Sequence, residues 1–264
     1  MPTRKIAGIE TAYLNHTGSA PEALLLHCSL AHQGAWLPLL KALGHPPART
    51  FDLPGHGASG PWDQALGDYS EIATQIAAAL CPKPLDVIGH SFGATVALRL
   101  AVARPDLVRQ LVLIEPVFFA AAKDDPRYQA HKDAFAPFEA AMEAGEAERA
   151  TQLFTDIWGT GLPWATLPKS QRDYMTQRIH LIPAGASGIS ADNAGLLRPG
   201  KLESLACPVT LIEGEISDPV MGAILDHLEH RMLQVSRHVI AGAGHMAPIT
   251  HPKDVAEVIG LSND

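Results

Sequence analysis

Residues 84–97 read PLDVIGHSFGATVA: an apolar run, then Gly89-His90-Ser91-Phe92-Gly93, then small apolar residues at helical spacing. A serine set between two glycines, where a strand turns into a helix, has two readings. Either the glycines make a tight connection and Ser91 merely caps the helix, or the turn exists to hold the Ser91 hydroxyl clear as a nucleophile. A strained, close-packed strand–turn–helix demands small residues on both sides of the nucleophile. The strand before this serine and the helix after it favour the second reading.

Working outward, short apolar runs recur with helical stretches between them. Residues 22–28, 48–53, 84–89, 109–115, 207–213 and 236–242 read as buried parallel strands. The first residues, KIAGIETAYLNHT, supply an antiparallel pair at the sheet edge. Helices are expected over 34–44, 69–80, 92–104, 221–231 and 252–261, with Pro105 stopping the third. Strands alternating with helices predict an α/β fold with a doubly wound, mostly parallel sheet. The alternation breaks once, after the sixth strand. Residues 118–205 are helix-favouring and carry no strand pattern, and a structureless loop of that length does not suit a compact domain. The chain therefore divides into a core of 1–117 and 206–264 and a helical lid insertion over 118–205.

Composition narrows the classes. The 264 residues are 47% hydrophobic and 18% charged, which suits a folded globular protein. The formal charge of −8 offers no basic face to a phosphate backbone, so nucleic acid is not an expected partner. The longest apolar stretch is broken by Glu115 and Pro116, so no membrane span is expected. The N-terminus shows no signal-peptide pattern, and Cys28, Cys81 and Cys207 have no metal spacing. A cytoplasmic setting without metal or organic cofactor is the expectation. No stretch identifies a dimer face.

A nucleophilic serine needs a base. Among 13 histidines, position decides. His245 follows the last strand in a Gly-rich loop, where the carboxyl ends of parallel strands gather ligands. His90 lies inside the turn and His251 opens the last helix. His16, His131 and His230 are expected at the surface.

The stretches LLLHCSLAHQGAW (24–36), FDLPGHGASG (51–60), VIGHSFGATVAL (87–98), LVLIEPV (111–117) and AGAGHMAPITHP (241–252) together resemble the α/β-hydrolase superfamily, over nearly all of the chain outside 118–205. The resemblance implies a serine nucleophile, a histidine base, an orienting acid and an oxyanion hole, in the chain order Ser then His. Two carboxylates compete for the acid. The turn after the lid, Gly214-Glu215-Ile216-Ser217-Asp218, has a serine where many relatives carry an aspartate, with Asp218 one residue late. Glu115 ends the strand before the lid, where some relatives with a serine-bearing turn carry theirs. A carboxylate there is costly to bury without a partner such as His245. Glu115 is preferred and Asp218, otherwise a helix N-cap, is the alternative.

The resemblance also implies oxyanion donors at the backbone N–H of Phe92 and of Ser29, with Leu30 beside it. Cys28 stands where glycine is usual and reads as a packing residue; His56 reads as scaffold. Leu30, Trp158, Trp164 and Met246 are expected at the substrate pocket, with Phe135, Phe138, Met142, Phe154 and Met175 either lining it or packing the lid. The expected activity is serine hydrolysis of a carboxylic ester, thioester or related acyl bond of a small to medium apolar substrate. Carbon–carbon-bond hydrolysis and perhydrolysis are the enzymatic alternatives. The other alternative is a non-catalytic or slow-turnover binding protein, whose sign would be both carboxylates turned away from His245.

Overall fold

The structure, a computed structural model, describes residues 1–18 and 20–260. Eight strands form one sheet: β1 (Thr3–Ile6), β2 (Ile9–His16), β3 (Ala23–Leu26), β4 (Ala48–Phe51), β5 (Leu85–His90), β6 (Val108–Ile114), β7 (Val209–Gly214) and β8 (Val235–Ile240). Their order is β1-β2-β4-β3-β5-β6-β7-β8. The strands from β3 to β8 pair in parallel, while β1 and β2 form the expected antiparallel edge, with β2 antiparallel to β4.

Both faces of this sheet are covered, and the side-chain alternation of the strands divides the core accordingly. Leu24, Leu26, Val87, Leu111 and Leu113 join one buried cluster. Their neighbours Leu25, Ile88, Val112 and Ile114 join another with Trp36, Leu39 and Val255. The first cluster takes helices α2 (Tyr69–Leu80), α3 (Phe92–Ala103) and α9 (Pro219–Arg231), and the second takes α1 (Leu37–Ala42), α10 (Ala247–Thr250) and α11 (Pro252–Ile259).

Several helix boundaries differ from the sequence expectation. The helix expected over 34–44 opens as a 3-10 turn, Gln33–Trp36, before α1 begins with Pro38 in its first turn. The helix expected from 221 starts at Pro219, whose missing N–H is no loss at a first helical position, and Asp218 caps it through Val220 N–H. The last expected helix ends at Ile259, where Gly260 turns left-handed at φ 42°. Leu261 and the end of the expected core segment to Asp264 lie outside the described residues.

Between β6 and β7 the described chain contains no strand. It runs through a 3-10 turn (Phe119–Ala122), α4 (Pro126–Glu143), α5 (Ala147–Trp158), α6 (Lys169–Thr176), α7 (Leu181–Ala184) and α8 (Ala186–Ile189). These helices share a small core of their own, in which Phe138, Trp164, Met175 and Ile179 pack with Leu30 of the sheet side. Among the described residues no helix is long and apolar enough to cross a membrane.

Candidate active site

At the carboxyl end of β5 the chain turns at Ser91, which sits at φ 56° and ψ −121°, a conformation rare for a residue with a side chain. The bond from Ser91 N–H to Ile114 O (2.9 Å) holds it there. The glycines are required by space. A Cβ at Gly89 would run into the backbone of Gly93 and Ala94, and one at Gly93 into the carbonyl oxygens of Leu26 and His27. The turn thus brings β5, α3 and the end of β3 together. Ser91 Oγ makes no hydrogen bond within the described protein and faces a cavity.

His245 lies in the turn after β8, and its Nδ1 donates to Glu115 Oε2 at 2.9 Å. Glu115 is fully buried and takes a left-handed φ of 51°, which carries its side chain off the end of β6. Its second oxygen, Oε1, accepts from Gly214 N–H (2.6 Å) and from Ser217 Oγ (2.8 Å). Three donors therefore meet one buried carboxylate, which is what makes its burial tolerable. Ser217, the residue standing where an aspartate was expected, is one of them. Asp218 goes elsewhere: Oδ2 accepts from His131 Nδ1 at 2.9 Å, and Oδ1 caps α9. The two candidate carboxylates thus serve two different histidines.

A third histidine steadies this turn. His90 donates Nε2–H to the His245 carbonyl (2.8 Å), and burial pushes its pKa down to about 3, so it stays neutral.

The loop after β3 is locked to the loop after β4 by two more neutral imidazoles. His27 Nε2 accepts from Leu53 N–H (3.0 Å) and His56 Nε2 accepts from Leu30 N–H (3.1 Å). Their Nδ1 atoms face the carbonyls of Cys28 and Pro54, which sets the Nδ1–H tautomer in both. Burial pushes His27 down to about 4 and His56 to about 3, in keeping with rings that must accept at Nε2. The consequence for the oxyanion loop is direct. The Leu30 N–H is already committed, whereas the N–H groups of Ser29 and Phe92 have no protein acceptor among the described residues. Burial drives the Cys28 thiol up to about 12, so it packs as an unreactive thiol.

The cavity at Ser91 holds about 610 Å³ between the sheet and the insertion. Ser29, Ser91 and Phe92 form its floor, and Phe119, Phe135, Phe138, Met142, Phe154 and Trp158 much of its wall. Trp158 meets His245 edge-on at 4.7 Å. A second cavity of about 700 Å³ shares Ser29, Phe154 and Trp158 with the first and is lined by Leu30, Met175 and Met246. Trp164 lines neither: it lies in the insertion's own core beneath Arg172.

One expectation is overturned outright. His131 is 5% exposed, not at the surface, and lines the Ser91 cavity. The signal was in the spacing. His131, Phe135, Phe138 and Met142 stand at i, i+4, i+7 and i+11 of α4, one face of a helix.

Known proteins resemble this chain over most of its length. The model of the alpha/beta hydrolase family matches residues 23–258. The lipase LipV of Mycobacterium tuberculosis is 30% identical over 250 residues, covering 89% of this chain and 90% of the lipase. A pimeloyl-acyl-carrier-protein methyl ester esterase of Nitrosospira multiformis is 24% identical over 262 residues, 96% of this chain and 98% of the esterase. The enol-lactonase of Burkholderia xenovorans superposes with a TM-score of 0.72 at 18% identity, over 98% of each chain.

Proposed function

The chain belongs to the alpha/beta hydrolase family, and on that premise we propose that it is a serine hydrolase of carboxylic esters or thioesters, acting through an acyl-enzyme on Ser91. The observation that carries this reading is the buried Glu115–His245 bond, whose histidine accepts at its carbonyl from His90, the residue before Ser91 in a strained, glycine-flanked turn. Glu115 keeps the Nδ1–H tautomer of His245 and stabilises its cationic form, leaving Nε2 to take the Ser91 proton as the serine attacks the carbonyl carbon. The oxyanion is received by the N–H groups of Phe92 and Ser29, each such donor contributing about 3 kcal/mol to the transition state. The alcohol or thiol leaves with the proton held by His245, and water releases the acyl group by the same steps in reverse.

Relatives named esterase, lipase and methyl ester esterase support ester hydrolysis. The leaving group must depart on the side of His245, and Met246 lines the second cavity there. The aromatic cavity at Ser91 then takes the acyl chain, with 118–205 as the lid over both. The Glu115–His245 bond speaks against a non-catalytic binding role, which both carboxylates turned away would have favoured.

Rapid mixing with p-nitrophenyl acetate, followed by quenching and peptide mass spectrometry, tests the reading. An acetyl group on the Ser91 peptide, absent in Ser91→Ala, is expected. Undiminished turnover in a folded Ser91→Ala protein would overturn it.

A further inference from the structure

Within the aromatic part of the acyl cavity's wall stands one imidazole. His131 sits there with its ring stacked on Phe119 (centroids 4.9 Å apart) and on Phe135 (5.4 Å), and edge-on to Trp158 at 5.3 Å. Nδ1 is held by Asp218 at 2.9 Å. The other ring nitrogen, Nε2, has no protein hydrogen-bond partner among the described residues, although the residue is more than nine-tenths buried and lines the cavity. Nε2 is therefore open to the cavity rather than sealed in the interior, and is free to meet a bound group.

The pair is also built to stay in place. Asp218 is anchored by capping α9, and the first turn of α4 is tied to α9 by Arg127 on Asp226 at 2.6 Å. An imidazole clamped by a carboxylate, packed between rings and presenting one free nitrogen is a preorganised binding point. Nothing in ester hydrolysis by Ser91, His245 and Glu115 uses it.

We propose that His131, positioned by Asp218, forms a polar subsite in the acyl cavity that binds a neutral hydroxyl group carried on the substrate's acyl chain. The proposal rests on the serine hydrolase reading for the direction of the chain. A hydroxyl is favoured because it is both donor and acceptor: it pairs with Nε2 whether the ring is neutral or cationic. An anionic group is disfavoured by its surroundings. Asp218 stands behind the ring, and Glu139 and Glu143 line the cavity against a single Lys132. An unsubstituted chain leaves Nε2 unpaired, and a site built to bond a hydroxyl rejects the analogue that lacks it.

The test compares p-nitrophenyl hexanoate with its ω-hydroxy and ω-carboxy analogues, and the same three octanoates, on wild type, His131→Phe, His131→Gln and Asp218→Asn. The readout is the ratio of kcat/KM for the hydroxy ester to that for the plain ester, which is independent of the fraction of active protein. We expect a wild-type ratio above one at one of the two lengths, falling roughly tenfold in His131→Phe. His131→Gln, which still bonds Asp218 and offers a polar atom, should retain part of the preference. Ratios that do not move in His131→Phe and Asp218→Asn would overturn the proposal, as would a preference for the carboxy ester. Calorimetric titration with methyl ketones bearing or lacking a terminal hydroxyl separates this result from the hydrolase reading. Loss of all turnover with a His131-dependent hydroxyl preference in binding sinks the hydrolase reading alone. Turnover with equal ratios and equal ketone affinities sinks the subsite alone.

Discussion

The molecule holds two histidine–carboxylate pairs of the same length, 2.9 Å each, facing one tryptophan from different sides. They are built differently. In the first, Glu115 and His245 come off the carboxyl ends of β6 and β8, and the acid takes two further hydrogen bonds from the turn after β7, the strand between them. In the second, His131 belongs to the insertion and Asp218 to the core, so the bond joins two parts of the chain that have no shared strand. What the difference teaches is that geometry around a pair, more than the pair itself, sets its work. One histidine is tied through its carbonyl to His90 of the serine turn; the other lines the cavity among aromatic rings.

The largest expected effect separates the two acids. Glu115→Gln should lower kcat on a simple p-nitrophenyl ester by about 10³- to 10⁴-fold, as for loss of a triad acid, while Asp218→Asn lowers it about tenfold or less. Equal losses would collapse the distinction between the pairs.

Next comes acid stability. His27, His56 and His90 carry folded pKa values of about 4, 3 and 3 against 6.5 for the free side chain. A histidine lowered in the folded state binds fewer protons there than when unfolded, so its stabilisation is complete above pH 6.5. It is lost as pH falls from there toward pH 3–4, at up to about 1.4 kcal/mol per pH unit for each ring. Asp218 behaves otherwise. Burial alone would raise its carboxyl, but its bonds to His131 and the Val220 N–H hold it below the ordinary 3.8, so its contribution persists down to that pH and fails only below it. Urea unfolding between pH 7 and pH 4 should therefore show stability falling while the His131–Asp218 bond survives. A flat profile over that range would count against neutral, buried locking histidines.

Ser217→Ala sharpens the first pair by removing one of the three donors on Glu115. A loss of roughly tenfold in kcat is expected, with a lowered Tm, since hydrogen bonds to a charged group contribute about 1.5–3 kcal/mol. Ser217→Thr should recover part of it. The smallest effect is expected at Trp164, which packs within the insertion and reaches neither cavity. In Trp164→Phe, KM for short esters should move by less than about threefold, the signature of a packing residue. A large KM change confined to that variant would put Trp164 back at the pocket.

The sheet and the serine turn were legible in the sequence because they rest on local rules: buried strands are short apolar runs, and the turn at Ser91 needs glycine at 89 and 93. The place of His245 after the last strand was legible. Which carboxylate bonds it was not, because that depends on where a left-handed Glu115 aims its side chain and on a serine 102 residues away that bonds it. The amide of Leu30 was likewise spent on His56, 26 residues on, in a contact no spacing announces. His131 was missed for a different reason. Its helical face was readable from Phe135, Phe138 and Met142, but a polar residue in that stripe was assigned to solvent when it belongs to the cavity wall.

The most direct measurement is the rate at which a fluorophosphonate probe labels Ser91 in wild type, His245→Ala, Glu115→Gln and Asp218→Asn, with the labelled peptide identified by mass spectrometry. The probe needs no knowledge of the substrate and reports only an activated serine. The account predicts rapid labelling of Ser91 in wild type, abolished in His245→Ala, slowed far more by Glu115→Gln than by Asp218→Asn. Labelling that is absent in the folded wild type, or that depends on Asp218 and not on Glu115, would contradict it.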